Sequence, residues 1–155
     1  MQTAVQTVIT VTIANWGCVE NGSTMVLDVD ANNNLVLNAW ANTATQLWTL
    51  IPNLVTNAAS GGYTIYNASV NLSAEQPNAG SQIPLGDDPT PYGSSSYCWT
   101  LWPAGSGNGS QLWAIQDSQR GNCMDASGGG CTANTQVLLY GWNGGDNQRW
   151  IINPA

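Results

Sequence analysis

Trp48-Thr49-Leu50-Ile51-Pro52, Trp99-Thr100-Leu101-Trp102-Pro103 and Trp150-Ile151-Ile152-Asn153-Pro154 recur along the chain at intervals of 51 residues. Upstream of them, Val11-Thr12-Ile13-Ala14-Asn15 aligns with Tyr63-Thr64-Ile65-Tyr66-Asn67 and with Trp113-Ala114-Ile115-Gln116-Asp117. A period of this length marks supersecondary units that cannot bury an apolar face alone and so pack around a shared core. The copies fall at about residues 1–52, 53–103 and 104–155, which makes residues 1–155 one domain.

Within each copy the apolar residues alternate over short runs. In Val8-Ile9-Thr10-Val11-Thr12-Ile13, for example, Ile9, Val11 and Ile13 share one face. Turn clusters such as Asn32-Asn33-Asn34, Gly105-Ser106-Gly107-Asn108-Gly109 and Gly144-Gly145-Asp146-Asn147 punctuate the runs, and no stretch sustains a helical period. Short strands repeated three times predict a closed all-β structure without raw sheet edges. Threefold repetition narrows the prediction to a β-trefoil, with Trp48, Trp99 and Trp150 in its core.

Copies one and three are the closest pair. Leu35-Val36-Leu37-Asn38-Ala39-Trp40 through Gln46-Leu47-Trp48 runs against Val137-Leu138-Leu139-Tyr140-Gly141-Trp142 through Gln148-Arg149-Trp150 at a constant offset of 102. The middle copy diverges, with Tyr97-Cys98-Trp99 in place of a Gln-x-Trp triplet and an insertion around Asp87-Asp88-Pro89-Thr90-Pro91-Tyr92. Gln111-Leu112-Trp113 imitates the triplet but lies out of phase, in a predicted opening strand.

Nine acids face two bases, Arg120 and Arg149, for a net charge of −7. Nucleic acid and anionic membranes both require clustered Lys or Arg, so neither is an expected partner, and no membrane insertion is expected. The chain start, Met1-Gln2-Thr3-Ala4-Val5-Gln6, has no charged region or long apolar run, so no signal peptide is expected; the compartment stays open. With no histidine, Ser-His-Asp and Cys-His catalysis are excluded, and no metal site, cofactor or enzymatic activity is expected. Eight tryptophans among Asn, Gln, Ser, Thr and Gly suit an uncharged, polyhydroxylated ligand. Cys18, Cys98, Cys123 and Cys131 allow three complete pairings. The flexible Gly128-Gly129-Gly130 turn favours a Cys123–Cys131 bridge, with Cys18 and Cys98 as the remainder.

Cys123-Met124-Asp125, then Val137-Leu138-Leu139-Tyr140-Gly141-Trp142, then Asp146-Asn147-Gln148-Arg149-Trp150 resembles the repeat of the ricin-B-type (Gln-x-Trp) lectin family. The resemblance is strong in the third copy, fair in the first and weak in the second. It implies a shallow sugar site, usually for galactose or N-acetylgalactosamine. By that resemblance Asp125 accepts from two adjacent ring hydroxyls, Tyr140 stacks on the sugar, Asn147 donates to a hydroxyl and Gln148 braces Asp125 from behind. Trp142 is read as a flanking wall or as surface packing. A carboxylate is a strong acceptor for vicinal hydroxyls and a ring covers a C–H patch, so the chemistry fits the implied ligand.

A second site in the first copy would use Asp28, Asn38, Trp40 and Gln46, although Asn38 replaces the ring and Thr45 the asparagine. In the second copy Ser73 is read at the aspartate's place, with Ser96 and Tyr97 replacing Asn-Gln, and no such site is expected. The family's usual disulfide joins the Cys of Cys-x-Asp to a cysteine just beyond the aromatic, a neighbourhood held here by Trp142. The leading expectation is a lectin for glycans with terminal galactose or N-acetylgalactosamine, gaining avidity from several sites or from a homodimer. The alternative is a protein-binding β-trefoil, such as a protease inhibitor, acting through the 87–92 loop.

Overall fold

The computed structural model describes residues 8–53, 62–88, 95–118 and 121–155. Its strands in chain order are β1 (Ile9–Asn15), β2 (Met25–Val29), β3 (Leu35–Ala39), β4 (Trp48–Pro52), β5 (Gly62–Asn67), β6 (Leu72–Ala74), β7 (Leu85–Gly86), β8 (Trp99–Gly107), β9 (Ser110–Gln116), β10 (Asn122–Ala126), β11 (Thr135–Gly141) and β12 (Trp150–Pro154). The pairings β1–β4, β4–β5, β5–β8, β8–β9, β9–β12 and β12–β1 form a ring, so six strands close into a barrel with no free edge. The other six form three hairpins, β2–β3, β6–β7 and β10–β11, each joined to the opening strand of its own repeat. The hairpins also touch one another, through β3–β11 and through the bridges Asn34–Pro84 and Gln82–Leu138. A six-stranded barrel capped by three mutually paired hairpins is a β-trefoil.

The core is threefold because the sequence is. Ile13, Ile65 and Ile115 from the three opening strands are wholly buried, as are Trp48, Trp99 and Trp150. Each of these indoles donates its N–H to a hairpin carbonyl: Trp48 to Leu27 at 3.0 Å, Trp99 to Ala74 at 3.0 Å and Trp150 to Met124 at 3.1 Å. An indole buried in this way contributes a large apolar surface while its polar atom stays satisfied. Gln111-Leu112-Trp113 lies in β9, an opening strand. The β8–β9 hairpin turns at Asn108 and Gly109, both with positive φ, as its two-residue turn requires.

The disulfide departs from the sequence expectation: Cys131 is bonded to Cys18, with Cα atoms 5.6 Å apart, and Cys123 and Cys98 are free and buried. Cys123 sits within β10 opposite Tyr140, whose carbonyl its thiol approaches at 3.6 Å. The left-handed Gly128 and Gly129 carry the chain away from β10, towards the four-residue helix α1 (Trp16–Val19) that holds Cys18. Asn15 caps this helix by accepting from the Cys18 N–H at 3.3 Å. The bridge therefore ties the first repeat to the third.

Candidate carbohydrate site

Strand alternation places Asp125 and Tyr140 on one face of the β10–β11 hairpin. Cys123 pairs with Tyr140 and Met124 with Leu139, and the second pair turns into the core. A 3-10 turn at Asp146–Gln148, ahead of the anchored Trp150, swings Asn147 and Gln148 back over the hairpin. Gln148 is fully buried. Its Nε2 donates to Asp125 Oδ2 and to the Gly141 carbonyl, both at 2.8 Å, while its Oε1 accepts from the Asn143 N–H at 2.8 Å. Asn147 Nδ2 donates to Asp125 Oδ1 at 3.0 Å and to the Ala126 carbonyl at 3.1 Å.

Each oxygen of Asp125 thus has one protein donor. A carboxylate has about four lone-pair sites, so capacity remains on both oxygens for ligand hydroxyls. Burial raises the Asp125 pKa, and the bonds from Gln148 and Asn147 partly offset that rise. Tyr140 is half exposed beside this cluster. Trp142 is also exposed, and the Arg149 guanidinium lies 5.4 Å above its ring. Arg149 is itself held by the carbonyls of Ala104 and Gly144 and by Asp146 at 3.1 Å. A hollow of about 340 Å³ opens beside Asn147, between Gly128-Gly129 and the acids Glu20 and Asp146. A hydrogen bond to Asp146, with lesser help from desolvation and charge, raises the Glu20 pKa.

The first repeat has the same frame with different chemistry. Gln46 donates to Asp28 Oδ2 at 3.2 Å and to the Ala39 carbonyl at 2.9 Å, and accepts from the Ala41 N–H. Asn38, at the place of Tyr140, points its Nδ2 onto the same Oδ2 at 3.1 Å, and the Val29 N–H takes Oδ1 at 2.7 Å. Asp28 therefore has three protein donors where Asp125 has two. Thr45, at the place of Asn147, pairs its hydroxyl with Thr43. Trp40 does not join this cluster's hydrogen bonds but lines a separate groove with Thr12, Thr24 and Asn153.

In the second repeat the acid at the aspartate's place is Glu75, not Ser73. The indole bonds settle the register, since the carbonyl they engage belongs to the residue just before Asp28, Glu75 and Asp125 in turn. Ser73 lies two residues earlier, opposite Gly86. Tyr97 takes the position of Gln46 and Gln148; its hydroxyl contacts Glu75 and donates to the Asp87 carbonyl at 3.3 Å. Gly86 stands where Tyr140 would, and a Cβ there would collide with the Tyr97 hydroxyl. The phenol therefore fills the space that the third repeat leaves beside its carboxylate. Of the 87–92 loop, residues 89–92 lie outside the described residues.

Residues 98–155 match the family model described as ricin-type β-trefoil lectin domain-like. No curated protein matches the chain. Among solved structures, the chain is similar to the designed threefold-symmetric protein ThreeFoil, with a TM-score of 0.76 and 18% identity over 94% of this chain and 99% of that one. It is similar also to a mosquitocidal holotoxin (TM-score 0.73, 23% identity, 99% of this chain, 17% of that one). A third is the ricin B-like lectin of Macrolepiota procera, solved in complex with lactose (TM-score 0.70, 22% identity, 100% of both chains).

Proposed function

We propose that this chain, ricin-B-like in fold throughout and in sequence over residues 98–155, is a carbohydrate-binding lectin that acts by recognition and not by catalysis. The observation that carries the reading is the half-satisfied carboxylate of Asp125, held rigid by Gln148 and Asn147 next to an exposed tyrosine ring. Two vicinal hydroxyls donate to its two oxygens while the Tyr140 ring covers the C–H face of the sugar. That face is continuous in galactose and N-acetylgalactosamine, where the axial hydroxyl points away from it, so terminal residues of these types are the proposed ligands. Trp142, stiffened by Arg149, serves as the outer wall of the site.

The third repeat is the principal site in this reading. Asp28 has its lone pairs largely taken by Asn38, Gln46 and Val29, and Tyr97 fills the second repeat from within. A glycan array probed with the wild type beside Asp125→Ala tests it. The expected result is binding to galactose- or N-acetylgalactosamine-terminated glycans that the substitution abolishes. Binding unchanged in Asp125→Ala would overturn the third-repeat assignment, and a silent array from folded protein would overturn the lectin reading.

A further inference from the structure

Two surface hollows occupy equivalent places in different repeats. The first-repeat groove, of about 430 Å³, is lined by Thr12, Thr24, Val26, Trp40 and Asn153 among others. The second-repeat hollow, of about 250 Å³, is lined at the same positions by Thr64, Asn71, Ser73, Asp88 and Ile51. Strand register fixes the equivalence. Thr12 pairs with Asn153 and Thr64 with Ile51 across the barrel, and Val26 pairs with Asn38 and Ser73 with Gly86 across the hairpins. Trp40 and Asp88 each follow two residues later, on the same wall. The fold thus supplies a hollow where the first and the second hairpin meet the barrel, and side chains decide what it can hold.

In the second repeat that wall is acidic, with Asp87 and Asp88. In the third, Arg149 places its guanidinium over Trp142. The first repeat differs from both: Leu47 stands at Arg149's place, Trp40 is 40% exposed, and no side chain lining the groove is charged. The volume lies in the range of small-ligand sites. No side chain here offers a charged ligand a counter-charge, and a purely aliphatic ligand would leave Asn42, Thr24 and Asn153 without partners. A ring with an apolar C–H face and a rim of neutral hydroxyls meets both demands at once.

We propose that this groove is a second carbohydrate site, in which a neutral pyranose ring stacks on Trp40 and hydrogen-bonds to Asn42, Thr24 and Asn153, independently of Asp125. It rests on the lectin reading for the class of ligand alone. The test follows the indole N–H resonances of 15N-tryptophan-labelled protein during titration with lactose and with cellotetraose, the Trp40 signal being assigned by its loss in Trp40→Phe. The expected result is a saturable shift of the Trp40 resonance with a millimolar midpoint for at least one sugar, unchanged in Asp125→Ala. In the Asp125→Ala background, Trp40→Ala should weaken that sugar's binding at least tenfold. A Trp40 resonance unmoved by both sugars at about 50 mM, or a shift that vanishes in Asp125→Ala, overturns the proposal. A saturable Trp40 shift in a protein without Asp125-dependent binding would uphold this site while the third-repeat site failed.

Discussion

Gln148 Nε2 donates to Asp125 Oδ2 at 2.8 Å from a position with no solvent exposure. The same amide satisfies the Gly141 carbonyl and the Asn143 N–H, so one side chain ties three parts of the third repeat together. Gln148→Leu keeps the volume and removes all three bonds, leaving a buried carboxylate short of a donor. The expected loss of stability is about 2–4 kcal/mol, read from urea denaturation. Leucine tolerated within about 0.5 kcal/mol would show that the amide network is not what holds the turn.

Acid should weaken ligand binding before it unfolds the protein. Burial raises the Asp125 pKa above the usual 3.8, so protonation removes an acceptor from the proposed site at a pH where ordinary aspartates remain charged. For stability the sign is opposite. The neutral acid is favoured in the fold, so its contribution is full below pH 3.8 and is lost as pH rises through the raised value. Titration calorimetry with lactose, from neutral pH downward, should show affinity falling with a midpoint above 3.8 while near-ultraviolet circular dichroism stays constant. Affinity constant down to that pH would contradict the role given to the carboxylate.

The fold was legible because the anchoring tryptophans are spaced by covalent distance, and any barrel built from three equal units must bury them at equivalent points. The third-repeat cluster was legible for a related reason: Asn147 and Gln148 directly precede the anchor, and Asp125 and Tyr140 share a hairpin face by simple alternation. Three features escaped. Glu75 is missed, and Ser73 read in its place, because the separation from the engaged carbonyl to the tryptophan is 21, 25 and 26 residues in the three repeats, so counting from the anchor fails wherever a loop changes length. The Cys18–Cys131 bridge joins positions 113 residues apart, a proximity that only the packing of α1 against the third repeat creates. Trp40 was grouped with Asp28 by position in the motif, whereas its groove is completed by residues of β1 and β12.

Cys18 and Cys131 enclose most of the chain, and a cross-link over so long a loop restricts the unfolded state strongly. Cys131→Ser should destabilise the oxidised protein by about 3–4 kcal/mol, a fall of roughly 10 °C in Tm, with the same shift produced by reductant in the wild type. Cys123→Ser should leave the bridge intact. Peptide mapping without reduction decides the matter: a fragment joining Cys123 to Cys131 would refute the pairing.

Tyr97 should ionise late in an alkaline titration. Burial, then the nearby Glu75, Asp88 and Asp87, push its phenol up to about 12. A raised pKa gives stability that is complete below the ordinary value of 10 and is lost as pH rises towards 12. A near-ultraviolet absorbance titration should therefore contain a late step that is missing in Tyr97→Phe. If that variant retains the late step, the group responsible is another tyrosine.

Gly86 and Tyr97 should prove energetically coupled. The glycine has an ordinary strand conformation, so its role lies in space and not in backbone freedom: a methyl group would meet the Tyr97 hydroxyl and crowd Glu75. Gly86→Ala alone should cost about 1–3 kcal/mol through overpacking. Tyr97→Phe removes one of the two colliding oxygens and leaves Glu75 Oε2, so the same alanine placed in that background should cost less. A double-mutant cycle should return a coupling of about 1 kcal/mol or more. Additive costs would mean that the phenol does not fill the second repeat's cavity, and the reason given for the absence of a third-repeat-type site there would fall with it.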